Sequence, residues 1–129
     1  MATRKTAKKP KPPHPLLWIV EPLMYEPDYF ERPMFGCLAI YLHGRMVLVL
    51  CSGKEPWNGL LVPTDHQFQE SLLRDFAGLR QHTVLKKWLY LPEKSASFES
   101  TAPEIVEKIR TGDTRIGVEP KERKTRKRR

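Results

Sequence analysis

Residues 35 to 51 read Phe35-Gly-Cys-Leu-Ala-Ile-Tyr-Leu42, then His43-Gly44, then Arg45-Met-Val-Leu-Val-Leu-Cys51. Two apolar runs of strand-like composition thus flank a two-residue break. Glycine tolerates the positive φ of a tight turn, and histidine is among the side chains found there more often than most. The stretch predicts a β-hairpin, and the fold is read outward from it. With a two-residue loop, Cys37 faces Leu50 and Cys51 faces Gly36, so the thiols point to opposite faces and cannot bridge. A three-residue loop would set the cysteines directly opposite each other, which makes their separation a test of register. Both faces read as apolar, with Leu38, Ile40, Val47 and Val49 on one and Phe35, Ala39, Leu48 and Leu50 on the other. A one-sided sheet would alternate apolar with polar. Either helices and loops cover both faces or a second subunit covers one, and a homodimer is the slightly favoured expectation.

Elements on either side follow from caps and periodicity. Residues 15 to 25 predict one or two short helical turns, interrupted by Pro22. Leu60 to Val62 predicts a third strand after the loop 54–59. A helix follows, with Thr64 as cap, Gln67 at the capping-box position, a stripe of Phe68, Leu72, Leu73 and Phe76, and Gly78 as stop. Thr83 to Leu91 predicts a strand. Ala102 to Thr111 predicts a last helix opened by a capping box of Thr101 and Glu104. Hairpin-joined strands without repeated strand-helix-strand alternation indicate an α+β fold. The expectation is a small two-layer sandwich, with a mainly antiparallel sheet built on the hairpin at 35–51 and packed with about three helices.

Charge divides the 129 residues into three parts. Residues 1–13 hold Arg4, Lys5, Lys8, Lys9 and Lys11 with no acid. Residues 121–129 hold Lys121, Arg123, Lys124, Arg126, Lys127, Arg128 and Arg129 against Glu122 alone. Residues 14–120 hold eleven Lys and Arg against fourteen Asp and Glu, a net of −3 within a chain of +8. The flanks have almost nothing to bury and predict disordered basic tails on a single domain. Clustered Lys and Arg release counterions from phosphate backbones, so the tails are candidate contacts for non-specific nucleic acid or another polyanion. They could equally solubilise the domain or fold back on the acidic stretch Glu21 to Glu31.

No motif of an active site is present. The glycines are scattered, no serine lies in a nucleophile elbow, and the pair His66 and Glu70 lacks a third ligand at metal-binding spacing. No enzyme activity, cofactor or metal is expected. Cys37 and Cys51 read as small core residues, and two thiols suggest a reducing, cytoplasmic setting. No stretch reaches the roughly 20 apolar residues of a membrane helix. Trp18 and Trp88 read as core. Trp57 lies in the loop Lys54-Glu55-Pro56-Trp57-Asn58-Gly59, so Lys54, Trp57 and Asn58 form a candidate ligand or peptide loop.

Arg32-Pro33-Met34-Phe35-Gly36 followed by Tyr41-Leu42-His43-Gly44-Arg45 resembles the N-terminal domain family of the competence regulator TfoX. Leu85-Lys86-Lys87-Trp88 before a strand and a last helix is more similar to the MmcQ/YjbR family. The resemblance implies a bacterial α+β domain over about residues 15 to 112 and carries no catalytic residues. The proline-broken first helix, the insertion 54–59 and the two tails depart from both patterns.

Overall fold

A computed structural model describes residues 14–119 other than Phe35. The tail residues named above therefore lie outside the described residues, as does Phe35. The elements are a 3-10 helix Leu17–Tyr25, β1 Phe30–Met34, β2 Cys37–Leu42, β3 Arg45–Ser52, β4 Asn58–Val62, α1 His66–Asp75, β5 Arg80–Gln81, β6 Leu89–Pro92 and α2 Phe98–Arg110. The strands form one six-stranded antiparallel sheet in the order β1-β2-β3-β4-β6-β5. With the helices against it, this is the small α+β architecture that the hairpin and caps predict.

The helical layer covers one face of the sheet. Ile19, Val20 and Leu23 of the 3-10 helix, Leu72 of α1 and Ile105, Val106 and Ile109 of α2 share a core with Ile40, Leu48, Leu50, Leu60, Leu89 and Leu91. Leu48, Leu50, Leu60, Leu91 and Ile105 are fully buried. Truncating one such leucine to alanine costs about 2 to 5 kcal/mol. The other face carries a second cluster of Cys37, Ala39, Tyr41, Met46, Val49, Cys51, Leu61 and Tyr90, with Trp57, Leu85, Trp88 and Val118 packed on it. Loops of the same chain thus pack on part of this face.

The hairpin turn is the two-residue one, with Leu42 opposite Arg45 and Tyr41 opposite Met46. His43 and Gly44 both have positive φ, 54° and 78°. Beyond Met46 the register shifts, because Ile40 pairs with Leu48 and leaves Val47 without a partner. This bulge sends Val47 and Leu48 to the same helical side. It also moves Val49 to the open face and Leu50 to the helical face, reversing the expected assignment of Leu48, Val49 and Leu50. The same one-residue shift brings Cys37 opposite Cys51, Cα to Cα 4.6 Å, and they form a disulfide. The expectation that they cannot bridge fails for this reason: the loop has two residues, but the bulge supplies the offset of a three-residue loop.

Four local expectations are also corrected. The stretch 83–88 is a loop, and the strand begins only at Leu89, with a short partner β5 before it. Thr64 does not cap α1, since its hydroxyl donates to the Arg115 carbonyl and Asp65 occupies the cap position. Thr101 lies inside α2, which begins at Phe98, and its hydroxyl donates to the Ala77 carbonyl. Trp18 is 49% exposed rather than core. The strand β1 falls in a stretch for which the sequence predicted none.

Candidate functional site

The sheet register lays out the open face in rows. Phe30, Tyr41 and Met46 stand side by side on β1, β2 and β3, and Met46 bridges to Val118. Phe30 and Tyr41 stack with ring centroids 4.6 Å apart and planes within 4°. The guanidinium of Arg32, one row along, lies 5.8 Å from the Phe30 ring centroid and 5.6 Å from that of Tyr41. Cations at this range are attracted to the ring faces. Tyr41 is buried under these side chains, while Phe30 is 43% exposed. Among the described residues Arg32 has no carboxylate within ion-pair distance.

Beyond Met46 the row ends at a cavity of about 570 Å³ lined by Arg45, Met46, Asp65, Lys87, Trp88, Val118 and Glu119. One wall is the segment 117–119. Met46 and Val118 exchange two backbone hydrogen bonds of 2.9 and 3.0 Å, and the Gly117 N–H donates to the Pro63 carbonyl at 2.7 Å. Arg45 Nη2 donates to the Gly117 carbonyl at 2.7 Å. The opposite wall is the loop before β6. Gln69 Nε2 donates to the carbonyls of Lys86 and Lys87 at 2.8 and 2.9 Å, and Gln81 Nε2 donates to that of Lys86 at 2.8 Å. Lys87 Nζ lies 3.6 Å from Asp65. The half-buried Trp88 is thereby held against the second cluster, facing the same cavity as Met46, by a loop that Gln69, Gln81 and Asp65 anchor.

His82 holds the root of that loop. It is fully buried, its Nε2–H donates to the Pro56 carbonyl at 2.9 Å, and its Nδ1 accepts the N–H groups of Val84 and Leu85 at 3.1 and 2.9 Å. Because Nδ1 accepts twice, the ring is neutral with its proton on Nε2. Burial pushes its pKa below the usual histidine value, only partly opposed by the bond to Pro56. His82 also packs between Trp57 and Tyr90, at 4.6 and 5.5 Å between centroids. The candidate loop of Lys54, Trp57 and Asn58 thus has a structural explanation. Trp57 is half-buried against His82, its N–H donates to the Lys54 carbonyl, and the Asn58 carbonyl accepts from Tyr90 and Glu93.

Charge is segregated between the layers. The three helices contain Glu21, Glu70, Asp75, Glu99, Glu104 and Glu107 against Arg74, Lys108 and Arg110. The whole net charge of −3 on residues 14–120 therefore belongs to the helical layer, and the strands and loops balance to zero. His66 and Glu70 are both exposed on α1, and among the described residues no group of three or more potential metal ligands is found. Arg115, after α2, is tied to Asp113 at 2.7 Å and to Asp75 at 2.9 Å. The Arg115 hydrogen bonds hold the Asp113 carboxyl below the usual carboxylate range.

Among the described residues no helix is long and apolar enough to cross a membrane. No family model, curated protein or solved structure matches the chain.

Proposed function

We propose that this chain is a non-enzymatic binding module whose terminal Lys and Arg runs contact nucleic acid or another polyanion. The observation that carries this reading is the partition of charge. The C-terminal run begins two residues after Glu119, on the rim of the cavity, and holds seven cations in nine positions. The acidic residues in excess lie in the helical layer and leave the sheet side balanced. The kinship to the TfoX N-terminal domain family suggested by Met34-Phe35-Gly36 and the hairpin belongs to the same proposal and adds no chemistry to it.

The test compares the full chain with a full-length variant in which Lys5, Lys8, Lys9 and the seven basic residues of 121–129 are glutamine. The reading expects a labelled duplex to bind the natural chain and to lose most of its affinity for the variant, with near-ultraviolet circular dichroism unchanged. Equal binding by the two proteins would remove the tails as the determinant.

A small-ligand reading stands second. It rests on the cavity of about 570 Å³, which falls within the range of ligand pockets. Since Trp57 is packed against His82, that reading centres on Trp88 and Lys87 instead of the loop 54–59.

A further inference from the structure

We infer that the open sheet face binds single-stranded nucleic acid, with a base stacked on Phe30 and the phosphate backbone led past Arg32 towards Lys87. This rests on the polyanion reading above and deepens it, since basic tails alone do not distinguish one phosphate polymer from another.

Three observations converge on the face. The first is its aromatic edge. Phe30 stacks on buried Tyr41 through one side of its ring and remains 43% exposed. A base has a π-face of its own and can continue such a stack whatever its identity. A paired base in a duplex has both faces occupied and cannot do so without unstacking. The second is the placement of cations. Arg32 lies over the two rings and has no carboxylate partner among the described residues. Arg80 stands opposite Tyr90 at the far edge, and Arg45 and Lys87 line the cavity between. The carboxylates that accompany them include Asp65, paired with Lys87, Glu119 on the rim, and Glu55 near Tyr90, itself paired with Lys94. The acidic excess is on the opposite side of the sheet.

The third is continuity. Phe30, Tyr41, Met46 and Val118 occupy successive positions across the sheet, and Val118 and Glu119 lead directly into the run that starts at Lys121. Three strand spacings amount to about 14 Å. A sheet face of that width accommodates about two or three bases in other single-strand readers. The row thus runs from Phe30 to the wall of the cavity at Trp88.

The experiment uses the full chain, with fluorescein-labelled single strands of DNA and of RNA about twelve nucleotides long, and a duplex of equal length, at one moderate salt concentration. Phe30→Ala and Arg32→Gln are the variants. Both side chains sit on the edge strand, so their truncation leaves the helical-side core intact, and near-ultraviolet circular dichroism checks that uncovering Tyr41 does not disturb the fold. Each variant should bind single strands about five- to tenfold more weakly than the natural chain, with duplex binding unchanged. Unchanged single-strand affinity in both variants, alongside loss in the tail-neutralised chain, would overturn the face and leave the tail reading standing. Absence of binding to all three probes, there and when repeated at low salt, would overturn both.

Discussion

Cys37 and Cys51 stand opposite each other on neighbouring strands, Cα to Cα 4.6 Å, because Val47 bulges out of β3 between them and the hairpin turn. A spacing near 4.5 Å is that of the non-hydrogen-bonded pair in an antiparallel ladder, where side chains approach most closely. The bulge thus decides both the covalent link and which apolar side chains face the helices.

The link predicts that the unreduced protein, unfolded in denaturant, takes up no thiol-alkylating reagent, and takes up two equivalents after reduction. Closing a loop of this length is worth roughly 3 kcal/mol. The Cys37→Ser, Cys51→Ser double variant should therefore unfold at lower denaturant concentration by about that amount. Its stability should no longer respond to reductant.

Gly59 predicts an intolerant position. Its φ is +135°, and a Cβ there would run into the Leu91 carbonyl and lie 2.7 Å from the Glu93 amide. The backbone of β6 cannot retreat without breaking its pairing with β4. Gly59→Ala should cost about 2 kcal/mol or more in chemical denaturation. Gly112→Ala, with positive φ but open space around the site, should cost less.

His82 predicts a pH dependence of stability. Burial lowers its folded-state pKa below the unfolded value of about 6.5. The unfolded chain then binds the proton more readily, so the contribution is fully present above about pH 6.5 and declines as pH falls through that value towards the lower folded pKa. His14, lowered by burial against the field of Glu93, acts in the same direction. Denaturation midpoints measured between about pH 8 and 5 should fall with acidification. A His82→Asn chain, though less stable at pH 8, should show a shallower fall.

The hairpin, the apolar stripe of α1 and the antiparallel class were legible because each depends on local pattern. Phe68, Leu72 and Phe76 recur at helical spacing, and His43-Gly44 requires a tight turn. The bulge was not legible, since nothing in Met46-Val47-Leu48-Val49 distinguishes the residue that loses its partner. Thr64 and Thr101 misled for a related reason. Both carry cap chemistry at a plausible place, but their hydroxyls serve distant carbonyls of Arg115 and Ala77. His82 lies in a loop and makes two of its three hydrogen bonds locally, to Val84 and Leu85, but its burial depends on Pro56 and Trp57 being brought beside it, which no local pattern announces. The tail cations were plain in the sequence. The row of Phe30, Arg32 and Tyr41 was hidden because β1 itself was not foreseen.

Arg115 predicts a tertiary lock that sequence distance conceals. Its guanidinium donates to Asp113, Asp75 and Ser71, joining the segment after α2 to α1. Arg115→Gln should lower stability by about 1 to 3 kcal/mol. Asp113, held low by the same contacts, predicts a further loss of stability as pH falls below the ordinary aspartate range, where its carboxylate is protonated. Arg115→Gln should reduce that acid-range loss.

The central claim is that the Lys and Arg runs make the chain a polyanion binder, and the salt dependence of duplex DNA binding by the full chain tests it most directly. Engagement of five to seven phosphates predicts a slope of log K against log salt of about −4.5 to −6.3. The chain with the tail cations replaced by glutamine should give a slope near zero. A shallow slope for the natural chain, or the same steep slope for both proteins, would contradict the claim.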